Sequence, residues 1–165
     1  MKSEEVEQLV LDALFDRTKN IQGTCLVTNE AGLKLVRSGR ESLEVIERIL
    51  HDVVAPKVAR PDATDAGFTG LRYVLGAYLL ISRREGYAIV PFLMTMPVAV
   101  QLETVYAVSA FFQKTPDGYN FGSAPGQHLG LMLGKLAESQ DSDLRSAASA
   151  ELDRIQAKDS SAFVG

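Results

Sequence analysis

Two charged side chains stand in long stretches of apolar sequence. Glu103 is the one charged residue between Gly86 and Gln113, and Arg72 is the one charged residue between Phe68 and Ile81. A carboxylate buried without a partner loses several kcal/mol of solvation and has its pKa raised. Glu103 therefore sits on an exposed helix edge, or it is buried beside a cation such as Arg72. The phenols of Tyr78 and Tyr106 lie in the same two segments. Arg72, Tyr78, Glu103 and Tyr106 are thus candidates to line a cleft that binds a small ligand or positions an acid. A second candidate is the glycine-rich stretch Thr115–Gly126, TPDGYNFGSAPG, with Tyr119 and Phe121 in it. Loop aromatics are rigid, area-rich anchors for a partner, and they also fold back over cores.

Other combinations fail on spacing. Cys25 could form a thiolate–imidazole pair with His51 or His128, but no glycine-framed nucleophile motif surrounds it. Two histidines far apart, without a carboxylate at ligand spacing, do not make a metal centre. Gly130 to Leu136, GLMLGKL, is one residue short of a phosphate-binding loop and has no Ser or Thr after Lys135. Asp141-Ser142-Asp143 opens like a calcium loop, but Arg145 takes a ligand position, and capping is the better account. No catalytic residue, metal site or cofactor is assigned.

The totals set outer bounds. The chain has 165 residues, enough for one domain with a sizeable core, and the whole of it reads as one helical domain. Its content of 46% apolar and 23% charged residues argues against general disorder. A net charge of −4 works against nucleic acid, because acids interleave with the Arg/Lys-rich region from Lys34 to Arg84. One cysteine excludes an internal disulfide and multi-cysteine zinc sites. The N-terminal MKSEEVEQLVLDALF has acids where a signal peptide has Lys or Arg before an apolar run. The longest apolar stretch, Ala88–Val100, is too short to span a bilayer and contains Pro91 and Pro97. A cytoplasmic protein without membrane insertion is expected.

Helices must position these residues. Val6, Leu9, Val10, Ala13 and Leu14 recur at three- and four-residue spacing, with Ser3 as N-cap and Glu4 and Glu5 in the first turn. Thr24–Arg37 is a helix weakened by Thr24, Val27, Thr28 and Gly32, with a strand at Cys25–Thr28 as the rival. Ser38-Gly39-Arg40-Glu41 has the spacing of a capping box. The helix after it stops or kinks at Pro56. Phe68–Ile81 is apolar nearly all round, the mark of a helix buried on several sides. Pro91 fits only near a helix start, and Pro97 fits the first turn of the helix carrying Glu103. Further helices are expected at Gln127–Glu138 and Ser142–Ala157, with a frayed tail over 158–165.

An internal echo links Leu35–Ile46 to Leu80–Leu93 roughly 45 residues on, with a third version at Leu133–Ala148. Asp141, Leu144, Arg145, Ala147, Ala148, Leu152 and Ile155 match a pattern in which an Asp-containing turn precedes an apolar residue, an Arg and paired alanines. The chain resembles the HEAT and HEAT-like repeat family in this respect. The resemblance implies an all-α, right-handed helical repeat of about seven or eight helices; the alternative is a compact irregular α-bundle. It also implies a non-enzymatic interaction or adaptor module, such as an inhibitor or immunity-type protein, whose partner is another protein. A homo-oligomer is left open. The competing function is a ligand-binding or enzymatic domain with its cleft at Arg72, Tyr78, Glu103 and Tyr106.

Overall fold

The computed structural model describes residues 2–15, 28–58, 68–85, 89–114 and 124–164. Among them every regular element is helical, as the periodicity predicts. The helices are α1 (Ser3–Leu14), α2 (Glu30–Ser38), α3 (Glu41–Ile49), α4 (Ala55–Val58), α5 (Leu71–Glu85), α6 (Val90–Leu93), α7 (Val98–Lys114), α8 (Ala124–Leu136) and α9 (Ser142–Val164). A π-helical segment, Leu50–Val54, joins α3 to α4. No helix of the described residues is long and apolar enough to cross a membrane.

Helix α5 is the axis of the molecule. Leu71, Val74, Leu75, Ala77, Tyr78, Leu79, Ile81 and Ser82 are all buried, so the helix is enclosed on several sides as its sequence requires. It packs against α1, α2 and α3 and also against α7 and α8. The pair α8–α9 closes the C-terminal side, with α9 lying on α7.

A buried polar joint fixes the entry to α5. The last carbonyls of a helix lack intrahelical partners and need others. At the end of α1, the Asn29 side-chain amide donates to the Ala13 carbonyl at 3.1 Å, and the Gly70 amide donates to the Leu14 carbonyl at 2.7 Å. Asn29 also caps α2, its Oδ1 accepting from the Gly32 amide at 3.0 Å. The Thr28 hydroxyl donates to the Tyr73 carbonyl at 2.7 Å. Two glycines make room. A β-carbon on Gly70 would lie 1.8 Å from the Ala13 carbonyl oxygen, and one on Gly32 would lie 1.7 Å from Thr28 Oγ1.

Several local expectations are corrected. Ser3 is the first helical residue rather than the cap, because the Lys2 carbonyl already accepts from the Glu5 and Val6 amides. The box at Ser38–Glu41 does not form. Ser38 ends α2, Gly39 reverses the chain at φ 76°, and Arg40 precedes α3 without a side-chain cap. A residue with a β-carbon resists that backbone conformation, which accounts for the glycine. Ser42 closes the turn by donating to the Leu35 carbonyl at 3.1 Å.

Pro56 lies inside α4, and the chain reaches it through the π segment. The Ala55 amide bonds back to the Leu50 carbonyl, and this wider turn changes register just ahead of a residue with no amide of its own. Pro97 directly precedes α7, its carbonyl accepting from the Val100 and Gln101 amides. Pro91 is second in the single turn α6. Helix α8 opens at Ala124, earlier than expected, because a proline in the first turn suits a helix. Helix α9 runs on to Val164 through the tail expected to fray.

Candidate functional site

Arg72, Glu103 and Tyr106 come together on the surface where α5 meets α7. Arg72 Nε donates to Glu103 Oε2 at 2.9 Å, and Nη2 reaches Oε1 at 3.4 Å. The guanidinium carbon lies 5.0 Å from the centre of the Tyr106 ring, within cation–π range. Residues three apart on a helix are neighbours, so Glu103 and Tyr106 present edge and face to one arginine. Arg72 is 49% and Glu103 31% exposed at the side chain, and Tyr106 is 41% exposed. The cluster is open to solvent rather than enclosed.

Tyr78 does not join it. Six residues beyond Arg72, it sits about a third of a turn away around α5. It is 1% exposed, its hydroxyl donates to Glu47 Oε1 on α3 at 2.7 Å, and its ring packs on Phe92 at 5.8 Å. These are the bonds of a core tyrosine with its polar tip satisfied. Tyr119, Phe121 and Cys25 lie outside the described residues, as does the side chain of His128. His51 is exposed in the π segment, with Nδ1 2.8 Å from Asp52 Oδ1.

Apolar side chains continue along α7 from Tyr106. Among the described residues, the large apolar side chains left exposed are Met94, Val98, Tyr106 and Leu131, all in the stretch of chain from α6 to α8. Val98, Leu102 and Tyr106 follow at four-residue spacing, so they form one stripe along α7, with exposed Ala99 beside it. Leu102 is the most inward of the three, packing partly on the core.

Sequence reasoning missed the one acid that is buried among the described residues. Glu151 of α9 is almost wholly enclosed, paired with Arg154 Nε at 3.2 Å and with Nη2 at close range; Arg154 Nη2 also reaches the Ser109 carbonyl on α7 at 3.5 Å. The signal was its position. Residue 151 follows Leu144 and Ala148 at the i, i+4, i+7 spacing of a buried stripe. At the start of the same helix Asp141 caps as expected, its Oδ1 accepting from the Leu144 amide at 2.9 Å. Arg145 donates to the Ser139 carbonyl at 3.2 Å.

Two depressions flank α3. The larger, about 400 Å³, is lined by Arg40, Glu41, Leu43, Glu44 and Glu47; the smaller, about 230 Å³, by Ser3, Val6, Glu41, Glu44 and Val45. Among the described residues no three His, Cys, Asp or Glu side chains stand together to hold a metal. Comparison of the chain with protein-family models, curated proteins and solved structures gives no match.

Proposed function

We propose that the chain is a non-enzymatic protein-interaction module that binds through the exposed face of α7. The observation that carries this reading is Tyr106, a large aromatic left 41% exposed while an arginine and a carboxylate hold its ring and neighbours in place. Aromatic residues and arginine dominate binding energy at protein interfaces, and a side chain already held still loses little entropy when a partner arrives. The Val98–Leu102–Tyr106 stripe supplies apolar area beside it. In this reading the α8–α9 pair, with its Asp141 cap and the alanines at 147 and 148, belongs to a HEAT-like scaffold that stiffens α7 from behind. The reading assigns the protein to the cytoplasm. The small-ligand alternative is weakened by the bond of Tyr78 to Glu47, which removes one wall of the cleft it needs.

The test is photo-crosslinking from the surface of the intact chain in its native cell. A photoreactive phenylalanine analogue at position 98 should give a discrete protein adduct. The same analogue at position 44, exposed on α3, should not. Adducts from 44 and none from 98 would overturn the assignment of the face.

A further inference from the structure

We infer that the partner on this face is a second copy of the chain, the two related by a two-fold axis crossing α7 near Glu103 and Tyr106. This rests on the interaction reading above and names its occupant.

Charge is the first reason. The chain carries a net charge of −4, yet this face pairs one cation with one anion around an aromatic ring. Like net charges oppose association, and a face that pairs a cation with an anion adds nothing to that repulsion. A two-fold contact sets the same patch against itself, so it needs a patch that complements itself. A face holding Arg72 and Glu103 side by side meets that condition, since each charge can lie opposite its opposite on the other copy. A partner of a single sign would leave one of the two charges mismatched.

Unused hydrogen-bonding capacity is the second. A guanidinium has five N–H donors, and Arg72 engages Glu103 through Nε and Nη2, leaving Nη1 without a partner among the described residues. A carboxylate accepts several hydrogen bonds, so Glu103 can keep its own arginine and take Nη1 of the second copy. The result is a four-membered ring of alternating charge over two Tyr106 rings. The stripe of Val98, Leu102 and Tyr106 gives each helix a straight apolar ridge to lay across its equivalent. Contacts of this polar, half-exposed kind make a dimer that dissociates on dilution.

Sedimentation equilibrium of the intact chain at low salt, from micromolar to millimolar concentration, tests the inference. The average mass should rise from the monomer value of 17.9 kDa toward twice that. Arg72→Glu sets four acids together and should raise the dissociation constant about tenfold or more, whereas Arg72→Glu with Glu103→Arg should return it to within about threefold of the parent. Val98→Asp, at an exposed position, should weaken the dimer without lowering the thermal midpoint. A constant 17.9 kDa at every concentration overturns the inference. If that monomer still cross-links from position 98 to a different protein, the interaction reading stands and only its occupant is wrong. A dimer unchanged by both Arg72→Glu and Val98→Asp removes the face from both.

Discussion

Gly70 and Arg72 are two residues apart at the start of α5, and they belong to regions built on opposite principles. Gly70 enters the buried joint, where amides and carbonyls of α1, α2 and α5 saturate one another and no room remains for a methyl group. Arg72 reaches the surface, where its partners are side chains in partial contact with water. A buried hydrogen-bonding group that loses its partner costs its full desolvation, while an exposed ion pair contributes little to folding. The joint therefore carries stability, and the cluster is free to carry recognition. The molecule can be perturbed at either end of this contrast.

The largest effect is expected from Gly70→Ala. The new β-carbon would sit against the backbone of Ala13 and Leu14, which cannot move without uncapping α1. Overpacking against backbone should cost about 3 kcal/mol or more, enough to lower the thermal midpoint by roughly 6–12 °C in a chain of this size. A midpoint within a degree or two of the parent would show that α1 and α5 are not locked together here.

Asn29 gives a sharper test, because its two roles need different atoms. As an ordinary N-cap, Asn and Asp are nearly equal. Here the side-chain amide also donates to the Ala13 carbonyl, so Asn29→Asp would point a carboxylate at a carbonyl oxygen in a buried site. Chemical denaturation should rank Asn29→Asp at least as damaging as Asn29→Ala, each at about 2 kcal/mol or more. An aspartate variant as stable as the parent would reduce Asn29 to a simple cap.

These two residues also mark where the sequence stops being readable. The burial of α5 was legible because one charge in fourteen residues leaves a helix no face for water. The pairing of Arg72 with Glu103 was legible for the same reason: each was the only charge its segment offered. Asn29 and Gly70 gave no such signal, since their partners are backbone carbonyls of a helix distant in the chain, and a carbonyl has no residue type. Gly32 read as a weakness in α2 and is instead the space that Thr28 occupies. Glu151 needs no distant partner that would announce its burial, because Arg154, three residues on, pairs with it. Tyr78 was grouped with Arg72 by proximity in sequence, and helical phase separates them.

Glu151 falls between the two regions, being an ion pair with a buried acid and a half-buried base. Glu151→Ala removes the carboxylate's bonds to Arg154 and should cost roughly 1–3 kcal/mol, less than the joint and more than the surface pair. Glu151→Leu, which fills the space and sits on the apolar stripe, should cost less than Glu151→Ala. If the leucine variant is the worse of the two by thermal melting, the pair is fixing the α7–α9 contact rather than filling it.

The smallest effect on folding is expected at Glu103. Glutamine keeps an oxygen for Arg72 Nε and removes only the charge, so Glu103→Gln should change stability by less than about 1 kcal/mol. The thermal midpoint should then move by no more than about 4 °C. Association should respond more strongly. The second copy's Arg72 would lose its charged acceptor, and the dimer should weaken about tenfold, as it should for the parent when salt screens the same ring of charges. Measured together, the two numbers decide which region Glu103 belongs to. A small thermal shift with a large loss of association places it with recognition. A thermal loss as deep as that of Gly70→Ala would make the Arg72–Glu103 pair a second structural joint, and the division of labour between the start of α5 and its surface would fail.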